Sequence, residues 1–435
     1  MIPEVVGSSP IIHPKTKSPK SHRFRAFFIA LSYLGYQWQS VLPLALHPIK
    51  NRRKMMGIAQ FNFPTIIRFG VGAIAELAPH LSEQGLKRPL VVTDPLVAGL
   101  PFFQEILDGL KKSGLAVTVY SDMHKNPVKS DVVSGKAAFA GNGCDSIVGI
   151  GGGVALDVAR AIALAINHHR DLFDYDDLIG GDQYVTEEVP YFVTVPTTSG
   201  TGSEVGRSAI IADDITHQKK ILFSPKLLAK RVFADPALTV GLPPFVTAAT
   251  GMDALTHNME AYIAKNYHPM CDGIALQGIK LIGGSIEKAT HDGQNLQARA
   301  DMLLASLMGA VAFQKGLGVV HSLAHPLSQL LDTHHGLANA VNLPYGMKFN
   351  LGGFESRFED MAHAFGIKNG NGNQLIDELF KLNTRLGLPT TLSGIGVREE
   401  HLEQLSDLAF ADFCHPNNPK PVSRADFRKI YGEAL

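Results

Sequence analysis

Four short apolar runs most constrain what this chain can fold into. Pro89–Asp94 (PLVVTD), Ala116–Tyr120, Ser146–Ile150 and Tyr191–Val195 read as strands, and two stretches of helical spacing, Pro101–Ser113 and Ser130–Ala140, lie between the first three. The first and third are almost continuously apolar, so neither face is meant for water. Strands buried on both faces and separated by helices belong to a parallel sheet covered on both sides. An α/β fold is therefore expected.

After Asp235-Pro236 the strand pattern stops. Pro243-Pro244 opens a helical reading through Ile263, and most of the remaining chain is rich in Ala, Leu and Gly at helical spacing. The expected division is an α/β domain over 56–237 and an all-helical domain over 238–435, with a cleft between them where ligands gather. With 435 residues and 45% apolar content, the chain is long enough for two such cores.

The helical part carries the chemistry. His321-Ser-Leu-Ala-His325-Pro is followed ten residues later by His335-Gly336, and upstream lies Asp253-Ala-Leu-Thr-His257. Residues four apart on a helix share one face, about 6 Å apart along the axis. Each pair is therefore half of a metal site, and together they suit a divalent ion such as Fe²⁺ or Zn²⁺. A lone histidine is usually structural; two pairs plus His335 change that reading. His80, His124, His168, His268, His363 and His401 show no such spacing, nor does His334 beside His335.

In the α/β part, Gly151-Gly152-Gly153-Val154 joins a strand to a helix. Such a turn brings backbone N–H groups and a helix dipole to a pyrophosphate, or it is simply a tight connection. Asp94 closes the first strand, either as a helix cap or as an acceptor for ribose hydroxyls. Pro196-Thr197-Thr198-Ser199-Gly200-Thr201-Gly202-Ser203-Glu204 is a hydroxyl-rich turn open to both readings.

Lys plus Arg equals Asp plus Glu at 40 each, which disfavours nucleic acid as a partner. Cys144, Cys271 and Cys414 lie far apart without CxxC spacing, as expected of a cytoplasmic protein. Residues 1–54 differ in kind, with nine basic residues against one acid, Glu4, leaving 31 basic and 39 acidic over 55–435. Residues 1–55 are expected to be an extension: a start placed too early, with Met55 or Met56 the true one, or a disordered or targeting segment. The uncharged run Ala26–Leu46 makes a poor membrane span, and no membrane partner is expected.

GIGGGVALDVAR, PTTSGTGSEV, DPALT, TGMDALTHNMEAYI, FQKGLGVVHSLAHPLS and HHGLANAVNLPY together resemble the iron-containing (group III) alcohol dehydrogenase family over residues 57–435. The resemblance implies a Rossmann-like nucleotide-binding domain and an all-α metal-binding domain, the dehydroquinate synthase-like fold shared with glycerol dehydrogenase. It implies Asp253, His257, His321 and His335 as ligands of Fe²⁺ or Zn²⁺, and His325 beside the substrate. Asp94, Asn126, Gly152, Gly153, Val154, Asp157, Thr197, Thr198 and Lys219 would contact NAD. Val154-Ala155 stands where the family usually has serine and proline, so one side-chain bond to phosphate is missing, and Ser328 replaces a common glycine.

The activity so implied is NAD-linked oxidation of a small primary alcohol, or reduction of an aldehyde, by a homodimer. Phe313 and Leu317 are expected to line the pocket. The alternatives are a polyol (glycerol-type) dehydrogenase, a maleylacetate reductase-like enzyme, or a catalytically silent binding protein on the same fold.

Overall fold

The computed structural model describes residues 63–435, and the expectations for residues 1–55 lie outside them. Six parallel strands form one sheet: β1 (Ile66–Phe69), β2 (Pro89–Val92), β3 (Thr118–Tyr120), β4 (Ser146–Gly151), β5 (Tyr191–Pro196) and, after a hairpin, β8 (Arg231–Ala234). Their spatial order is β1-β8-β5-β4-β2-β3. The strands anticipated from their apolar runs are all present. β2 and β4 are buried at every residue, as unbroken apolar text requires. Val91, Val148 and Val193 are fully buried in the middle of the sheet, each stabilising it by roughly 1.5–3 kcal/mol relative to exposure.

Helices Leu77–Glu83, Pro101–Lys112, Lys129–Gly141 and Gly153–Asn167 alternate with these strands. Two cores result, one on each side of the sheet: Leu90, Ile147 and Phe192 face Ile162, while Val91, Val148 and Phe233 face Phe103 and Leu107. Strand register places Gly151 beside Pro196, so the glycine turn and the hydroxyl turn leave the sheet side by side. Ligands of open parallel sheets bind outside these carboxyl ends.

Between Ser208 and Phe223 the chain makes an antiparallel hairpin, β6 (Ser208–Ala212) and β7 (Lys219–Phe223), which the apolar pattern did not announce. From Pro244 onward every regular element among the described residues is helical, beginning with Pro244–Ile263. One continuous core joins these helices from Ala248 to Ala434. Leu296–Lys315 is apolar and long enough to cross a membrane, yet 56% of its most apolar window is buried here, so its apolarity serves the core.

The two parts meet at the sheet's carboxyl end. The Ser306 hydroxyl donates to the Gly200 carbonyl at 2.9 Å, and Lys125 pairs with Asp332 at 3.4 Å.

Candidate active site

Helix Pro244–Ile263 carries Asp253, His257 and Glu260 on one face; helix Val319–Leu331 carries His321 and His325, and His335 opens the next helix. One side-chain donor atom from each of Asp253, His257, His321 and His335 lies within 4.8 Å of the others. His321 Nε2 is 3.0 Å from His257 Nε2, and His335 Nε2 is 3.4 Å from an Asp253 oxygen. Donors about 2.1 Å from a common tetrahedral centre would stand roughly 3.4 Å apart, so this spacing suits a single ion.

The protein groups alone leave the cluster unsatisfied. His257 Nδ1 is buried without a hydrogen-bond partner, and its other nitrogen faces a second imidazole. A divalent ion between the two facing Nε2 atoms would resolve the second of these conflicts by taking both lone pairs.

The electrostatics agree. Burial would raise the Asp253 carboxyl, but the surrounding imidazoles and the Asn339 amide outweigh it and hold it at about 2. Burial lowers His257 to about 4 and His335 well below its usual value. Near neutral pH the cluster therefore offers an ionised carboxylate and two neutral imidazoles, the forms in which metals are bound. His321 behaves differently: burial lowers it, but a 2.6 Å hydrogen bond from Nδ1 to Glu260 prevails and raises it.

Glu260 and Asn339 were not singled out in the sequence. Glu260 accepts from the Val320 backbone at 2.6 Å as well as from His321. Asn339 donates to Asp253 at 2.7 Å and lies 3.2 Å from His335 Nε2. Of the four cluster residues only His335 is notably open, at 31% side-chain exposure, so any substrate approaches from its side. The Phe313 ring lies 5.2 Å from the His257 ring, and Leu317 is half-buried nearby in sequence. His334, read as a non-ligand, caps its own helix by accepting from Leu337 N–H.

His325 stands beside this cluster. Its ring stacks on His335 with centroids 5.4 Å apart, and its Nδ1 is 2.7 Å from Asp412.

At the sheet, Gly152 is the N-cap of helix Gly153–Asn167, and no side chain caps it. Gly151 has φ +148°, and a Cβ there would sit 2.7 Å from the Ala155 Cβ. A Cβ on Gly152 would meet Thr198, and one on Gly153 would meet Thr201. The turn is thus backbone packed to contact, with free N–H groups at a helix start, the donor set a pyrophosphate takes.

Of the other expected nucleotide residues, Asp94, Val154, Thr197 and Thr198 adjoin this turn, Asn126 and Lys219 lie toward Asp332 of the helical part, and one is an exception. Asp94 Oδ1 caps the short helix Pro95–Ala98, accepting from Leu96 and Val97 N–H at 3.0 Å, while Oδ2 faces Gly151. Thr197 is buried, and its N–H donates to the Gly151 carbonyl; Val154 is partly buried in the helix's first turn. Asn126 donates to Asp332 across the cleft. Burial lowers the Lys219 ammonium, partly offset by Asp412, Asp157 and Asp332. The exception is Asp157, which points elsewhere: its oxygens accept from Ser203 Oγ at 2.6 Å, Ile210 N–H at 3.1 Å and Arg160 at 3.1 Å, so it ties loop 203–210 to the helix.

A glycine turn at a parallel sheet, facing a carboxylate–imidazole cluster on helices, defines a two-part metalloenzyme with a nucleotide-type loop. Comparison with known proteins narrows that class. Residues 64–236 match the model for iron-containing alcohol dehydrogenase, and residues 247–435 match that for the C-terminal part of the Fe-containing alcohol dehydrogenase family. The chain is 39% identical over 380 residues to a 4-hydroxybutyrate dehydrogenase from Cupriavidus necator, covering 85% of this chain and 98% of that protein. It is 34% identical over 386 residues to an NAD-dependent methanol dehydrogenase from Bacillus methanolicus, covering 87% and 100%. A solved alcohol dehydrogenase from Oenococcus oeni superposes with a TM-score of 0.83 at 31% identity, covering 87% of this chain and 100% of that one. The chain belongs to the iron-containing alcohol dehydrogenase family.

Proposed function

We propose that this alcohol dehydrogenase interconverts a small primary alcohol and its aldehyde at the cleft, with Asp253, His257, His321 and His335 holding Fe²⁺ and the glycine turn holding NAD. The observation that carries the reading is the convergence of those four donors opposite an uncapped helix start. When bound, the metal supplies Lewis acidity toward the alcohol oxygen and the nicotinamide accepts hydride.

The chain's own groups do the rest. Gly152, Gly153 and Val154 receive the pyrophosphate through backbone N–H groups, Thr197 and Thr198 flank it, and Lys219 and Asn126 face it from the hairpin and from loop 125–128. Asp94 Oδ2 accepts from the ribose. His325 Nε2 takes the proton from the hydroxyl oxygen as hydride leaves the carbon that bears it, and passes the proton to solvent. The halves divide the labour near residue 237: nucleotide before it, metal after it. Edge strand β1, with Ile66 and Phe69 exposed, supports a homodimer, and three unpaired cysteines support a cytoplasmic location.

The test is reconstitution with Fe²⁺ or Zn²⁺ followed by NADH formation from methanol, butan-1-ol and 4-hydroxybutyrate. Turnover that requires metal and NAD is expected. Full activity of metal-stripped protein would refute the assignment.

A further inference from the structure

Asp412 lies outside every motif singled out in the sequence, on the loop after helix Leu402–Ala411, yet it reaches the site. Its carboxylate is nearly buried and receives three donors: His325 Nδ1 at 2.7 Å, Ser322 Oγ at 2.6 Å and Cys414 N–H at 2.9 Å. Ser322 is itself fixed, accepting from His415 N–H at 2.9 Å. The same helical turn thus sends His321 to the metal cluster and both Ser322 and His325 to Asp412.

A carboxylate can only accept from an imidazole nitrogen, so a neutral His325 keeps its proton on Nδ1. Nε2 is then the free lone pair, on a ring stacked against His335 and, at 5.6 Å, Phe413. Without the carboxylate, either tautomer is open to the ring, because the stacked rings hold its plane but not the place of its proton.

We propose that Asp412, supported by Ser322, is a positioning residue that fixes the His325 tautomer and aims Nε2 at the alcohol proton. This rests on the alcohol-oxidation reading of the site. Proton and hydride both leave the substrate; the proton crosses His325 to solvent, the hydride goes to NAD, and Asp412 only orients. Asp412 also holds the loop bearing Phe413, one wall against which His325 lies.

The experiment compares wild type, Asp412→Asn, His325→Ala and the double variant as metal-loaded full chain, using whichever of methanol, butan-1-ol and 4-hydroxybutyrate wild type oxidises fastest. Asp412→Asn should lower kcat on the order of 10²-fold, with KM, metal content and NADH binding close to wild type. In the His325→Ala background the same change should cost less than about two-fold, because the two act as one unit. Selective ¹⁵N-histidine spectra should show the Nδ1–H tautomer of His325 in wild type and its loss in Asp412→Asn.

An equal kcat loss with and without His325, or an unchanged tautomer, overturns the proposal. If Asp412→Asn fails to fold or to keep its metal, Ser322→Ala leaves the carboxylate and reads the same coupling: kcat should fall several-fold with His325 present and not without it. Absence of wild-type turnover refutes the alcohol-oxidation reading instead, and the tautomer spectra still decide whether Asp412 fixes the ring.

Discussion

Among the helices, His321 is held by Glu260 at 2.6 Å, His325 by Asp412 at 2.7 Å, and Asp253 by Asn339 at 2.7 Å. At the sheet, the glycine turn begins its helix with no side-chain cap, and the nearby acids are mostly engaged by the protein itself. One region positions its donors with side chains that hold other side chains. The other offers backbone, which needs no orienting partner but needs bare glycine. The helical site should therefore fail when a side chain is removed, and the sheet site when one is added.

The largest effect should come from the helical site. His257→Ala removes a buried donor and should abolish stable metal binding, lowering kcat by on the order of 10³-fold or more, since a Lewis acid supplies several kcal/mol. Metal analysis of the purified variant beside NADH-formation rates checks this, and full stoichiometry would break the assignment. The mirror experiment is Gly151→Ala. Its Cβ would press on Ala155 at 2.7 Å in a backbone conformation, φ +148°, that L side chains rarely adopt. KM for NAD should rise on the order of 10-fold or more while metal content stays at wild type. Loss of metal in that variant would mean that the two regions are not separable.

A subtler change sharpens the helical side. Glu260→Gln keeps the shape but presents one N–H₂ group where both partners, Val320 N–H and His321 Nδ1–H, are donors. Either the backbone bond or the His321 tautomer is lost. Metal affinity should drop about 10–100-fold, as measured by competition with a chelator. Unchanged affinity would show that the imidazoles are fixed by packing alone.

The two regions also differed in how plainly the sequence displayed them. Asp253–His257 and His321–His325 were legible because a four-residue step on a helix is a spatial statement in itself. Glu260 was legible in principle, lying three residues past His257 on the same face. Asn339 was equally legible, four residues past His335 and 3.2 Å from it, but Asp412 was not, since it reaches His325 across 87 residues and only helix packing brings it there. At the sheet the glycine turn and the strands buried on both faces could be read, whereas β1, four residues at the sheet's edge with Arg68 among its apolar ones, is too short to stand out. The engagement of Asp157 by Ser203 and Ile210 was equally hidden, because the partner loop is placed by the hairpin.

Asp94 joins the two styles, and the smallest predicted effect falls on it. It is a side chain at the sheet site, and its two oxygens serve different ends: Oδ1 caps Pro95–Ala98, and Oδ2 faces Gly151 where a ribose would lie. Replacing it with glycine would remove both functions at once. Asp94→Asn is the cleaner change, because asparagine caps a helix about as well as aspartate, so the fold should be spared. What disappears is the negative charge. A 2′-phosphate near that charge meets repulsion of up to a few kcal/mol, reduced by solvent at this half-open position. The preference for NAD over NADP in kcat/KM should therefore narrow by about 10-fold, with thermal stability and metal content unchanged. The added amide also offers a donor to phosphate, which should make the gain with NADP exceed the loss with NAD. Wild-type protein that uses NADP as well as NAD, or a variant whose preference does not move, would show that Asp94 is only a helix cap.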